Sequence, residues 1–263
     1  MVKIHFLFGN QQVTNALSKQ VGTSEAIRPL TYSYSATLDN YSRAEGLLHQ
    51  RDCSVSDLSW NQWLAGLIDG DGCLTALKSD LNGYTCCEIT MDLRDEYALQ
   101  QVKAKLGGSV KLRSGARAIR YRLHHKKGME ELIQRINGEI RLGARKNQLQ
   151  KLCMALNIPY AQPTKAFGPE SENAWFAGFF DADGTITLSI KNGSPEVTIA
   201  VSAKYSEDLF AFKEVFCGNI YQDKASNTYK WSIQNKVDML NFLEYIKKYP
   251  CRSSKKDRLH LLP

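Results

Sequence analysis

Two aspartates recur at equivalent places in this chain with the same neighbours. Leu64-Ala-Gly-Leu-Ile-Asp-Gly-Asp-Gly72 ends in Asp69 and Asp71, and Phe176-Ala-Gly-Phe-Phe-Asp-Ala-Asp-Gly184 ends in Asp181 and Asp183. In each case an uncharged run leads into the acids, so the carboxylates fall at the C-terminal end of an apolar helix. There they oppose the helix macrodipole. The adjacent small residues, Ala65-Gly66 and Ala177-Gly178, let two such helices pack closely. Side by side, the helices would bring Asp71 and Asp183 together. A locally unfavourable arrangement made twice implies a compensating cation. Paired carboxylates with only oxygen around them suit Mg²⁺, which also accepts water and phosphate oxygens. The chemistry available is activation of water and in-line displacement at phosphorus. One Asp-Gly-Asp-Gly would be an ordinary turn; two, each behind a matching helix, are not.

The elements around these acids are also written twice. Trp63–Leu74 returns as Trp175–Ile186, shifted by 183 − 71 = 112 residues. At a shift of 110, Asn82-Gly83 returns as Asn192-Gly193, Leu106–Val110 as Phe216–Ile220, Ile119–Leu123 as Tyr229–Ile233, and Ala144–Leu149 as Ser254–Leu259. This is the mark of a gene duplication. After the acidic helix, Thr185–Lys191 alternates as a strand, with Ile186, Leu188 and Ile190 on one face and Thr187, Ser189 and Lys191 on the other. Asn-Gly predicts a hairpin turn. The next strand turns Val197, Ile199 and Val201 inward and Glu196, Thr198 and Ala200 outward. Helices are predicted near 95–106 and 206–216, second hairpins near 109–124 and 219–234, and closing helices after each. The fold class is therefore α+β: two tandem αββαββα repeats form a pseudo-twofold monomer with two antiparallel four-stranded sheets. We expect a poorly structured leader over 1–55, a first repeat over 56–156, a Pro-containing linker over 157–172 and a second repeat over 173–263.

Composition narrows the class. The chain has 263 residues, 34 Lys plus Arg against 27 Asp plus Glu, a formal charge of +7 and a pI near 9.0. A basic balance favours a polyanionic partner. Seven cysteines, an odd number without a CxxC pair, argue against a disulfide scaffold or zinc ribbon. No apolar run approaches the roughly 20 residues needed to cross a bilayer, and Met1–Phe8 is too short for a secretory signal. The expectation is a soluble protein in a reducing compartment.

The two motifs resemble those of the LAGLIDADG homing endonucleases in their single-chain form, and the resemblance extends over residues 58–263. It implies metal binding by Asp71 and Asp183, aided by the backbone carbonyls of Gly70 and Ala182, with two or more Mg²⁺ ions between the aspartates. It makes Asp69 and Asp181 structural. It also implies a basic residue near each scissile phosphate at the start of the last helix. The matching positions are Arg145 and Lys255, with Lys146 and Lys256 as alternatives. The family's water-orienting Gln is missing; Asp92 or Leu93, and Ser202 or Ala203, stand in its place.

A saddle of two sheets over duplex DNA makes the outward strand positions readers of the major groove. In the first repeat these are Thr75, Leu77, Ser79, Glu88, Thr90, Lys111, Arg113, Arg120, Arg122 and His124. In the second they are Thr187, Ser189, Lys191, Glu196, Thr198, Tyr221, Asp223, Lys230, Ser232 and Gln234. The first set is far more basic, so the target is expected to be long and asymmetric. The resemblance implies hydrolysis of both strands with short 3′ overhangs, promotion of intron mobility, an organellar location (chloroplast or mitochondrion), and no membrane partner. It also admits a maturase that binds host intron RNA, or a regulator with dead acids. The intact acids of both motifs favour cleavage.

Overall fold

The computed structural model describes residues 55–77, 84–163, 173–191 and 193–259, all within one unit spanning Cys53–Pro263. The first repeat runs α1 (Val55–Asp71), β1 (Gly72–Leu77), β2 (Tyr84–Asp92), a 3₁₀ turn (Leu93–Asp95), α2 (Glu96–Leu106), β3 (Ser109–Leu112), β4 (Ala118–Leu123), α3 (Lys126–Ile136) and α4 (Gly143–Leu156). The second repeats this order: α5 (Trp175–Asp183), β5 (Gly184–Lys191), β6 (Ser194–Ala203), a 3₁₀ turn (Glu207–Leu209), α6 (Phe210–Phe216), β7 (Asn219–Asp223), β8 (Thr228–Ile233), α7 (Lys236–Lys248) and α8 (Lys255–Leu259). Each sheet is antiparallel and four-stranded, in the orders β1-β2-β4-β3 and β5-β6-β8-β7. The predicted α+β pseudo-dimer is what the chain forms.

Alternation along the strands decides what each sheet covers. Leu74, Cys87, Ile89, Met91, Ile119, Tyr121 and Leu123 of the first sheet enter the core, as do Ile199, Val201, Trp231 and Ile233 of the second. The helices lie on that side and leave the opposite face to solvent. At the centre, α1 packs directly on α5. A Cβ at Gly66 would fall 2.0 Å from the Trp175 carbonyl oxygen, and one at Gly178 would fall 1.9 Å from that of Trp63. Only glycine permits that approach, as the small-residue pairs had suggested.

Three sequence expectations change or fall outside the described residues. Leu188 and Ile190 share a face with Ile186, but they are 70% and 79% exposed, because the core ends at Ile186 and the β5–β6 hairpin runs on past it. Ala200 faces the open side as expected yet is buried; it sits in register between Thr185 and Ser232, whose strands flank a side chain too short to clear them. The leader over 1–54, Ser79, Asn82-Gly83, Asn192 and residues 164–172 of the linker lie outside the described residues.

Candidate active site

The close approach of α1 and α5 brings their acidic ends together. A Cβ on Gly70 would lie 2.3 Å from that of Ala182 and 3.0 Å from Asp183 Oδ2, so the two helix ends touch. Asp71 and Asp183 border a cavity of about 690 Å³, shared with Asp95, Ser202, Lys255 and Arg258. Burial first, then the Asp183 charge, push the Asp71 carboxyl up to about 7, against the pull of Lys255. Burial likewise raises Asp183, against the pull of Lys255 and Arg145. No side-chain hydrogen bond satisfies either carboxylate among the described residues. Here two carboxylates are held close and partly desolvated, without a hydrogen-bond donor of their own among the described residues.

The first acid of each motif is bound differently. Asp69 accepts from the backbone N–H groups of Arg141 (2.8 Å) and Leu142 (3.2 Å) and from the Trp175 indole (2.7 Å). Asp181 accepts from the backbone N–H groups of Arg252 (2.7 Å) and Ser253 (3.1 Å), from the Ser253 hydroxyl and from the Trp63 indole (2.8 Å). Each tryptophan therefore crosses to the other repeat's aspartate. With these bonds made, neither acid is available to a ligand.

Basic residues cap the two helix ends. Lys255 Nζ donates to the carbonyls of Phe180 (3.0 Å), Asp181 and Ala182 (2.7 Å). Arg145 donates through Nε to Ile68 O (3.0 Å) and through its terminal nitrogen to Gly70 O (3.3 Å). Positive charge at a helix C-terminus is favourable, and here it also lies beside the carboxylates. Of the alternatives, Lys256 lies over the Tyr97 ring, 5.0 Å from its centroid, and it is Arg145 rather than Lys146 that reaches the helix end. The carbonyls of Gly70 and Ala182 thus already accept from cations, each with a lone pair to spare. Asp92 and Ser202 line the cavity. Leu93 points to solvent and Ala203 packs on the core.

A hard divalent cation fits this donor set. The donors are carboxylate and carbonyl oxygens. Among the described residues no group of three or more His, Cys, Asp and Glu gathers as a ligand cage. Two carboxylates with the remaining positions left to water and phosphate are what Mg²⁺ accepts.

The open faces of the sheets carry the reader positions. In the first, Thr75, Leu77, Glu88, Thr90, Lys111, Arg120 and Arg122 alternate with core residues, with Arg113 and His124 just beyond the strand ends. Arg122 pairs with Glu88, and Arg120 stands 3.6 Å from its other oxygen. In the second, Thr187, Ser189, Lys191, Glu196, Thr198, Tyr221, Asp223, Lys230 and Ser232 occupy the matching strand positions, and Gln234 donates to Thr198 Oγ1 at 3.2 Å. The sequence list missed Cys73, Thr185 and Asn219 on the same faces, though register with Glu88, Ala200 and Ser232 places them there. It also missed Asp95, in the 3₁₀ turn after β2, whose counterpart turn carries Glu207 and Asp208.

A fold of two such repeats, with paired acids where their helices meet, defines a class. The LAGLIDADG endonuclease family model matches residues 64–156 and 176–262, and the chain belongs to that family. It is 44% identical to an intron-encoded RNA maturase, bI4, of Saccharomyces cerevisiae, over 99% of this chain and 43% of that protein. It is 33% identical to an intron-encoded DNA endonuclease, ai2b, of Dictyostelium discoideum, over 76% of this chain and 77% of that one. It is also 47% identical to a probable intron-encoded endonuclease, aI2, of Debaryomyces hansenii, over 77% of this chain and 32% of that one. The chain thus spans less than half the length of the yeast relatives. Among solved structures, the LAGLIDADG meganuclease I-AabMI bound to uncleaved DNA superposes with a TM-score of 0.56 at 18% identity, covering 76% of this chain and 87% of that one.

Proposed function

We propose that this chain is a site-specific DNA endonuclease that hydrolyses one phosphodiester in each strand of a long asymmetric target, leaving short 3′ overhangs and promoting intron mobility. The observation that carries this reading is the pair Asp71 and Asp183, brought together and left without a hydrogen-bonding partner among the described residues where the two motif helices meet. These two residues, with the carbonyls of Gly70 and Ala182, would hold Mg²⁺, which when bound supplies Lewis-acid stabilisation of charge at phosphate oxygens. Arg145 and Lys255 fix the helix ends and set positive charge beside the reacting phosphates; Lys146 and Lys256 meet the flanking backbone. The open sheet faces read the duplex, through arginine in the first repeat and hydroxyl and amide groups in the second. Residues 56–156 and 173–263 form the two halves, joined by 157–172, with 1–55 as a leader, and the chain acts as a monomer. Relatives named for the introns that encode them support an organellar location.

A second reading is maturase activity on host intron RNA, supported by the yeast relative of that name, which aligns with 99% of this chain. The same experiment separates the two. The protein and its Asp71→Asn and Asp183→Asn variants are incubated with a randomised duplex library in Mg²⁺, and the cut ends are sequenced. A single long site cut by the wild type alone upholds the endonuclease. Intron RNA bound with no duplex cut in any arm replaces it with the maturase.

A further inference from the structure

The pseudo-twofold symmetry breaks at one point beside the cavity. Asp95 closes the 3₁₀ turn after β2, is 6% exposed and makes no side-chain cap for the helix that follows. Its Oδ1 instead accepts the backbone N–H of Ser254 at 2.7 Å. That residue belongs to the other repeat and directly precedes Lys255. Two neighbouring contacts run the same way: Arg252 donates to Gln101 Oε1 at 2.6 Å, and Lys256 lies over Tyr97. The start of α2 in the first repeat therefore grips the segment that carries Lys255. Cys87 pairs with Leu123 and Ile199 with Ile233, so β2 and β6 match at a shift of 112, and the second 3₁₀ turn sets Glu207 and Asp208 where the first has Asp95. Among the described residues neither acid accepts a hydrogen bond from the segment that carries Arg145, and Glu207 accepts from its neighbour Ser206 at 3.2 Å. An exposed Glu207 bound to its own neighbour does not do for Arg145 what buried Asp95 does for Lys255.

We infer that Asp95 is a positioning residue by which the first repeat fixes Lys255 of the second, and that it thereby supports hydrolysis of one strand more than the other. The logic rests on the endonuclease reading. Two strands present two phosphates, one nearer each basic residue, and among the described residues only Lys255 has a buried carboxylate of the other repeat bonded to the backbone beside it. Asp95 also borders the cavity with Asp71, and its negative charge bears on both Asp71 and Lys255. Removing it shifts the backbone that aims Lys255 while leaving the seat of Arg145 intact.

The test uses the full chain and a supercoiled plasmid bearing the duplex that the wild type selects. The same duplex as a linear fragment, with each strand end-labelled in turn, lets the two cleavage rates be read separately. Asp95→Ala slows one strand by about tenfold or more, since misplacement by an ångström costs up to roughly a hundredfold; the other stays within about twofold, and nicked circles accumulate. Asp95→Asn keeps an oxygen to accept from Ser254 but loses the charge, and gives a smaller bias in the same direction. Glu207→Ala, in the corresponding turn, leaves both rates unchanged. Equal slowing of both strands, or none, overturns the inference while the wild type's double-strand cut keeps the endonuclease reading. A wild type that cuts neither strand overturns both. Should Asp95→Ala fail to fold by urea titration, the strand ratio of Asp95→Asn decides alone.

Discussion

The two repeats build one architecture from different cores. Leu64, Leu67 and Ile68 of α1 face, at a shift of 112, Phe176, Phe179 and Phe180 of α5; Val102, Leu106 and Leu132 face, at a shift of 110, Phe212, Phe216 and Phe242. All twelve are buried. In the second repeat these rings meet edge to face, with Phe176 5.1 Å from Phe212 and Phe216 5.1 Å from Phe242 between centroids. Aromatic rings bury 150–250 Å² each, and the helix that follows the 3₁₀ turn is shorter there, 7 residues against 11. What does not vary between the repeats is Trp63 and Trp175, Gly66 and Gly178, Asp69 and Asp181, Asp71 and Asp183. The core asks only for apolar volume. The junction asks for specific atoms at specific distances, so these four pairs are held fixed.

The largest effect should come from the second acids. Asp71→Asn or Asp183→Asn lowers cleavage by about a thousandfold or more, measured on the selected duplex. The same change stabilises the fold. The proton on Asp71 is held more tightly in the folded state, with its carboxyl near 7 against the ordinary 3.8. Its favourable contribution is therefore complete below about pH 4, falls as pH rises, and is gone above about 7. At pH 8 Asp71→Asn gains on the order of 1–3 kcal/mol in urea titrations, and the gain shrinks at pH 4. Adding Mg²⁺ raises the melting temperature of the wild type but not that of the double variant.

Next come the helix contacts. Gly66→Ala and Gly178→Ala each place a methyl within 2.0 Å of a carbonyl oxygen, and each costs about 3 kcal/mol or more in urea titrations. Markedly unequal losses would mean that the dyad is less symmetric than the packing shows. Trp63→Phe and Trp175→Phe remove the indole N–H from Asp181 and Asp69 together with part of a buried ring, and cost about 2–3 kcal/mol each. The smallest effect separates the two sheets. Glu88→Gln loosens the hold on Arg120 and Arg122 and relaxes base preference in one half-site by about 1 kcal/mol, read by binding to a duplex library in Ca²⁺. Thr198→Val on the open face of the second sheet changes preference less, because no arginine depends on it.

Much of this was readable in advance because it is local and repeated. The helices ending in acids, the alternating strands and the matched hairpins all show within a dozen residues. The tight α1–α5 contact was legible in Ala65-Gly66 and Ala177-Gly178. Other features were hidden because they join distant residues. Trp63 to Asp181 spans 118 positions and Asp95 to Ser254 spans 159, and neither leaves a period in the sequence. The capping of carbonyls by Lys255 and Arg145 was hidden for the same reason: register placed these side chains near the helix ends but not on the backbone. The exposure of Leu188 and Ile190 depends on where the helical layer stops, which strand alternation cannot reveal.

The crossed indoles give the chain an order of assembly. When the first repeat has left the ribosome and the second has not, Asp69 lacks the Trp175 N–H and Trp63 lacks the Asp181 oxygen. Burying either group without its partner is costly, so the first motif has no settled end of its own. The second repeat completes it, and in the same step brings the fourth aspartate beside the second. The polypeptide thus passes through synthesis without ever holding one working half.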